Sequence, residues 1–397
     1  MLLGKKGENT PLKSLLQLRK FLAPELIFGD GARLLISRYA RNLGAKKALI
    51  VTDEGIINAG WLMDVLNSLG EYDIDYVIYS DITPNPRGQE VMEGSRIYLD
   101  EGCNLIIAIG GGSPIDCAKA IGIVSTNPSH ITEFEGIDKI DTPIPPLLCI
   151  PTTAGSSADV SQFAIILDME RKVKMAITSK TLVPDIALID PKTLTTMNPY
   201  LTACTGMDAL THAIEAYVSK ANSVFSNLFA LEAIKIITGN LKQFVEDPLN
   251  VDFCGQAMLG SLYAGIAFSN ASLGAVHAMA HSLGGLLDKA HGECNAILLE
   301  HVISANFDSA PSEYKMIGQA MGLDLKNISY SQVKDKLIQH IKDVKYSIGI
   351  KNTLKDIGLN RDMIPTLAEY SQKDICMATN PKFLTQDDIE VIFKNAY

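Results

Sequence analysis

Five side chains able to hold a divalent cation fall between positions 208 and 291. Asp208 and His212 stand four apart in Met207-Asp-Ala-Leu-Thr-His-Ala-Ile-Glu-Ala216, and His277 and His281 repeat that spacing in Gly274-Ala-Val-His-Ala-Met-Ala-His-Ser-Leu-Gly-Gly285. His291-Gly292 follows across a short loop. On a helix, residues i and i+4 project from one face a turn apart. The rest of each face is apolar, so these polar groups point into a core and need partners there. A divalent metal satisfies a carboxylate and neutral imidazoles together; an Asp–His ion pair, or a histidine bonded to a backbone carbonyl, satisfies them without one. Ala275, Ala278, Ala280, Gly284 and Gly285 permit close helix packing and leave room for a ligand. Ala278 stands where an H-E-x-x-H protease needs its general-base glutamate, which argues against that chemistry.

A second constellation is Gly110-Gly-Gly-Ser-Pro-Ile-Asp116, which follows an apolar run and opens the helical pattern Cys117–Val124. Its glycines let the backbone approach a ligand, and a helix N-terminus offers unpaired N–H groups and partial positive charge, so a pyrophosphate fits there. Gly111, Gly112, Ser113 and Asp116 are the candidate contacts. The same residues also read as a plain helix start, with Ser113 as N-cap, Pro114 in the first helical position and Asp116 closing a capping box. Asp53 ends the run Ala48–Thr52, where a carboxylate can accept hydrogen bonds from an adenosine ribose and repel a 2′-phosphate, favouring NAD over NADP. An aspartate at a strand end also serves as a turn residue. Asn85 in Thr83-Pro-Asn-Pro86, and Thr152 and Thr153 behind Leu147–Ile150, are further candidates with the same two readings.

Two kinds of element must position these groups. In the first half, Lys47–Asp53, Asp75–Tyr79 and Asn104–Ile109 are short apolar runs separated by stretches with helical spacing, which predicts a parallel sheet with helices on its faces. Leu147–Ile150 adds a strand, and Phe163–Asp168 with Lys172–Ile177 reads as a hairpin turning at Met169-Glu-Arg171. From Thr202 apolar residues recur at i, i+3, i+4 and i+7, in Ala203–Val218, Phe225–Ile237, Phe253–Ala267, Leu273–Leu287 and Asp388–Asn395. That half is expected to be all helix. Asp190-Pro191 and Asn198-Pro199 supply breakers at the join. The expected division is a dinucleotide-binding α/β domain with a parallel Rossmann-like sheet over 1–194, then an all-helical metal-binding domain over 195–397. A chain of 397 residues exceeds what one core usually supports, in keeping with two domains.

At 47% hydrophobic and 20% charged, the composition is that of a globular protein, and a net charge of −10 argues against nucleic acid as a partner. The seven cysteines are scattered and never form C-x-x-C, a pattern of buried thiols in a reducing compartment. The N-terminus Met1-Leu-Leu-Gly-Lys-Lys lacks the apolar core of a signal peptide. No run reaches the roughly 18 apolar residues of a membrane span. A cytoplasmic protein without a membrane partner is expected.

From about Phe28-Gly-Asp-Gly31 to the C-terminus, the chain resembles the iron-containing (group III) alcohol dehydrogenases. The most specific pieces are Gly110–Asp116, Pro151-Thr-Thr-Ala-Gly155, Gly206-Met-Asp-Ala-Leu-Thr-His-Ala-Ile-Glu215, and His277-Ala-Met-Ala-His281 through His291-Gly292. The resemblance implies the dehydroquinate synthase-like fold of that family. It also implies NAD- and metal-dependent interconversion of small primary alcohols and aldehydes, with Fe²⁺ or alternatively Zn²⁺, in a homodimer or larger homo-oligomer. By the same resemblance Asp208, His212, His277 and His291 are the metal ligands, and His281 lies beside nicotinamide and substrate. Implied NAD contacts are Asp53, Asn85, Gly112, Ser113, Asp116, Thr152, Thr153 and Lys174, the last reaching the ribose. Phe163, Phe268 and Cys376 correspond to the substrate-pocket wall. Gly155-Ser-Ser-Ala-Asp159 departs from the family's commoner Gly-Thr-Gly-Ser-Glu and Gly-Thr-Ala-Ala-Glu versions, which leaves substrate choice open. Two other functions stand beside this one. A metal-dependent lyase or synthase of the related fold would need clustered Arg and Lys, whereas Lys220 is the only such residue between 203 and 234. An inactive nucleotide-sensing regulator would not need every candidate ligand that is retained.

Overall fold

Apolar runs become buried on both faces when they form a parallel sheet covered by helices, and the computed structural model, which describes residues 20–397, folds the first half that way. The N-terminal stretch read above against a signal peptide lies outside the described residues. Six strands, β1 (Glu25–Phe28), β2 (Lys47–Val51), β3 (Asp75–Tyr79), β4 (Leu105–Gly110), β6 (Leu147–Pro151) and β9 (Ile186–Ile189), form one sheet in the order β3-β2-β4-β6-β9-β1. All its pairings are parallel. A smaller sheet is ordered β5-β8-β7, from β5 (Gly136–Ile137), β7 (Phe163–Asp168) and β8 (Val173–Thr178), with β7 and β8 antiparallel as the hairpin pattern predicts. Alternation along each strand decides which helices cover it. Ala48 and Ile50 pack under α1 (Ile36–Asn42) and α3 (Trp61–Gly70), beside the short α2 (Glu54–Ala59). Leu49 and Val51 face α4 (Gly88–Asp100) and α5 (Gly112–Thr126).

β1 and β9 were not foreseen, because each is a four-residue run set off by Pro24 and Pro184, too short to carry a period. The capping-box reading of the glycine loop is corrected. α5 begins at Gly112 with Gly111 as its N-cap and no side-chain cap, so Ser113 and Asp116 lie within its first turns. Gly110 makes the early start feasible: it sits at φ 153°, and a Cβ there would lie 2.5 Å from Pro114.

The second half is helical among the described residues: α6 (Pro199–Val218), α7 (Val224–Glu246), α8 (Val251–Ala271), α9 (Ala275–Leu287), α10 (His291–Asn306), α11 (Pro311–Ala320), α12 (Tyr330–Ser347), α13 (Ile364–Lys373) and α14 (Gln386–Ala396). The expected helix Leu273–Leu287 is shortened, because Ser272 takes φ 59° and leaves Leu273 in the break. α10 to α13 fall within the half expected to be all helix, though periodicity alone did not delimit them. By length and hydropathy α7 resembles a membrane span. Its Ala230, Ala233, Ile234 and Ile237 join the helical core, while Lys235–Glu232 and Lys242–Glu246 pairs occupy its outer face.

Asp190 fastens the end of the sheet. Its fully buried carboxylate accepts from Gly31 N at 2.9 Å, Arg33 Nη1 at 2.5 Å and Lys192 N at 3.1 Å. Removing one member of a buried pair leaves the other charge uncompensated. Asp190→Ala should therefore destabilise the fold by about 2–4 kcal/mol. Chemical denaturation reads this directly, and an unchanged midpoint would show that Arg33 and Gly31 find other partners.

Candidate active site

The chain runs from β2 outward to β3 and returns to β4 on the other side of β2. Open α/β sheets bind ligands at the carboxyl ends of strands beside such a reversal. There the N-terminus of α5 offers uncapped N–H groups to an anion. A Cβ at Gly111 would lie 3.1 Å from Thr153 Cγ2, and one at Gly112 would lie 2.9 Å from Ser156 Cβ, so the loop admits only glycine without displacing its neighbours. Ser113 Oγ donates to Pro84 O, and Asp116 Oδ2 accepts from Ile165 N at 3.2 Å. Burial pushes the Asp116 carboxyl up to about 6. Asn85 donates to Asp288 Oδ1 at 2.6 Å, tying the strand-end loop to the turn before α10. Asp53 is the N-cap of α2 and accepts from Ile56 N at 3.0 Å. Neither Asp53 nor Thr152 lines the main cleft, whereas Asn85, Gly111, Gly112, Ser113, Thr153 and Lys174 do.

The opposite wall of that cleft is built by α6, α9 and α10. Asp208 Oδ1 lies 3.9 Å from His212 Nε2, 3.6 Å from His277 Nε2 and 3.8 Å from His291 Nε2. Four ligands around a cation with bonds near 2.1 Å stand about 3.4 Å apart, close to the spacing of each histidine from Asp208. Asp208, His277 and His291 form the compact set; His212 joins through Asp208 and by stacking on His277 at 4.5 Å. The far ring nitrogens set the orientation. His277 Nδ1 is 2.6 Å from Glu215 Oε2, and His212 Nδ1 is 3.2 Å from Gly155 O. His291 Nδ1 is buried without a partner among the described residues. Asn295 Nδ2 donates to Asp208 Oδ1 at 2.6 Å, the carboxylate's contact from within α10.

Electrostatics sharpen this picture. Burial alone would raise the Asp208 carboxyl, but His212, His291 and His277 hold it well below the usual range. Burial drives His212 down to about 3 and His291 well below an ordinary imidazole. Burial also opposes charge on His277, yet hydrogen bonds to Asp208 and Glu215 raise it to about 9. A carboxylate that demands positive charge, beside two imidazoles that burial keeps neutral and a third, His277, that it draws towards the charged form together with Glu215, is a donor set suited to a divalent cation. The residues fit one.

His281 belongs to a different group. Its Nδ1 lies 2.8 Å from Asp374 Oδ2, with Cys376 close by, and its ring stacks on His291 at 5.2 Å. Phe163 and Phe268, with centroids 5.8 Å apart, and the buried Cys376 wall the space next to it, and Phe268 stacks on His212 at 4.3 Å. The cleft joining both walls has a volume of about 370 Å³, and Lys174 is its only lysine among the described residues, with no arginine. Two functional partners went unassigned in the sequence. Glu215 lies at i+7 from Asp208 on the same apolar helix face, a signal that could have found it. Asp374 is 93 positions from His281 and has no local signal.

Comparisons with known proteins agree with this geometry. Residues 23–191 match the family described as iron-containing alcohol dehydrogenase, and residues 202–397 match the Fe-containing alcohol dehydrogenase family, C-terminal. The chain is 37% identical over 380 residues to 1,3-propanediol dehydrogenase of Klebsiella pneumoniae, covering 95% of this chain and 98% of that protein. It is 34% identical over 377 residues to the NAD-dependent methanol dehydrogenase of Bacillus methanolicus, covering 95% and 99%. A crystal structure of 1,3-propanediol oxidoreductase superposes with a TM-score of 0.93 at 37% identity, covering 96% of this chain and 100% of that one.

The two groups of histidines are separable by metal content. His277→Ala should lose bound metal, His281→Ala should keep it, and Glu215→Gln should weaken metal affinity by about 10- to 100-fold through the freed His277 ring. Elemental analysis after dialysis against a chelator decides this. An empty His281→Ala beside a loaded His277→Ala would overturn the grouping.

Proposed function

The chain belongs to the iron-containing alcohol dehydrogenase family, and from that premise we propose how its residues divide the work of an NAD-dependent interconversion of small primary alcohols and aldehydes. The observation that carries the reading is one carboxylate oxygen with three imidazole Nε2 atoms 3.6–3.9 Å away, in the same cleft as the glycine loop. Asp208, His212, His277 and His291 would hold the divalent metal, Fe²⁺ or alternatively Zn²⁺, the latter bound more tightly in the Irving–Williams order. When bound, the metal lowers the pKa of the substrate hydroxyl and NAD accepts the hydride.

Every other task falls to the chain. Gly111, Gly112 and Ser113 offer backbone N–H groups to the pyrophosphate, and Asn85, Asp116, Thr152 and Thr153 shape the surrounding loops. Lys174 reaches the cofactor ribose. Asp53 borders the adenosine side, where its charge disfavours a 2′-phosphate. Glu215 and the Gly155 carbonyl hold the His277 and His212 rings, so each presents Nε2 to the metal position. Asp374 holds His281 by Nδ1, leaving Nε2 as the group that takes up the hydroxyl proton. Phe163, Phe268 and Cys376 exclude water from the reacting carbon. The division of labour follows the domains 1–194 and 195–397. A cytoplasmic location and a homodimer or larger assembly belong to the same reading. The assembly is supported by edge strand β1, which among the described residues pairs only with β9 and exposes Leu26 and Phe28.

Two measurements test these roles. The cleft carries one lysine and no arginine, so kcat/KM should rise from methanol towards propanol or butanol, at about 0.8 kcal/mol per buried methylene, until the pocket is full. Lactate should be poor, and a preference for it would reveal a cationic group that this reading lacks. Asp53→Gly should relax the preference for NAD over NADP by about 1–3 kcal/mol if the charge is partly shielded from water. Glycine is itself a fair N-cap, so α2 should lose only a few tenths of a kcal/mol. Equal use of both cofactors by the unmutated enzyme would remove Asp53 from the cofactor site.

A further inference from the structure

Among the described residues β7 is an outer strand, paired along its length with β8 on one side and bridged on the other only at Leu167, by Arg87. Its other edge faces α5, and an open edge leaves backbone N–H and C=O groups that must be satisfied. On three alternate residues one outward group is met. Phe163 O accepts from Lys119 Nζ at 2.8 Å, Ile165 N donates to Asp116 Oδ2 at 3.2 Å, and Leu167 N donates to Pro86 O at 2.8 Å. Lys119 Nζ also donates to Ser161 O at 2.8 Å and reaches Ser161 Oγ at 3.2 Å. A lysine has three N–H donors, and here three oxygens surround it. Lys119 and Asp116, a turn apart on α5, thus take the place of a missing neighbouring strand.

Lys119 is fully buried yet does not line the cleft. Taking a lysine out of water is costly, and its pKa is lowered by burial against the pull of Asp116. An apolar side chain would fill the same space without that cost. It would also leave the carbonyls of Ser161 and Phe163 unpaired. The Phe163 ring packs on Phe268, which packs on His212, while the opposite end of α5 is the glycine loop.

We propose that Lys119 is a positioning residue that sets the depth of the substrate pocket, by holding the Phe163 backbone at a fixed distance from the nucleotide loop. The proposal rests on the reading of Phe163 as pocket wall. It explains why a buried lysine sits on a helix whose first turns serve the cofactor and whose remainder is apolar core.

The test is the alcohol series from methanol to hexanol on the metal-loaded enzyme and on Lys119→Met. The loosened wall should move the chain length of maximal kcat/KM by at least one carbon, changing the ratio between neighbouring alcohols by about fourfold. NADH affinity, read by fluorescence titration, and bound metal should change less than twofold. Combining Lys119→Met with Phe163→Ala should add little to the shift from Phe163→Ala alone. An unmutated length profile, or an equal loss for every alcohol, overturns the proposal. If Lys119→Met fails to fold, Lys119→Gln, which keeps a donor on a shorter stem, is scored the same way. Amide exchange at Ile165 in the unmutated enzyme is independent of any variant: slow exchange is expected, and exchange as fast as at a free edge overturns the lock. An unmutated enzyme that reduces NAD with none of these alcohols would sink the functional reading and leave the exchange result standing.

Discussion

A carboxylate buried in the helical half organises the molecule. Asp208 is almost inaccessible, and an ion there costs several kcal/mol unless positive charge or donors surround it. Three helices meet around that one side chain: α6 carries it, α9 brings His277 and α10 brings His291. They can converge because small residues line their contacts. A Cβ at Gly292 would stand 2.4 Å from Cys204 O, and Ala275, Ala278 and Ala280 are fully buried on α9. Glu215 closes the arrangement by accepting from Val276 N at 2.7 Å and from His277 Nδ1, so one carboxylate both caps α9 and orients the His277 ring. Packing and chemistry are here the same contacts.

The second organising feature is the hairpin β7–β8, which lies between the halves. It brings Phe163 and Lys174 to a single cleft. One face is held to α5 by Asp116 and Lys119. The other is pressed against α9, where a Cβ at Gly285 would lie 2.7 Å from Lys172 O and one at Gly284 would lie 2.8 Å from Lys174 Nζ. Because the hairpin has contacts on both sides, the distance between the glycine loop and the Asp208 cluster is set by packed backbone, the kind of precision that a reaction between two bound partners requires.

Local periodicity made much of this legible beforehand. The i, i+4 pairs Asp208/His212 and His277/His281 needed only the helical repeat to be placed on common faces, and the apolar runs needed only their lengths to be read as parallel strands. The glycine loop likewise declared a close backbone approach. Where runs were short, as in β1 and β9, the local signal was too weak to separate from loop, and within the helical half periodicity did not delimit α10 to α13.

Which nitrogen of each ring faces the metal position was settled only in three dimensions, because the partners that orient the rings lie far along the chain: Glu215 is 62 positions from His277, and Asp374 is 93 from His281. The tertiary structure also moved Ser113 from a cap into the first turn of α5 and showed Lys119 as an edge partner for β7. The physical reason is common to these cases. Sequence spacing determines which side of an element a residue occupies, whereas its hydrogen-bond partner depends on which other element is packed against that side.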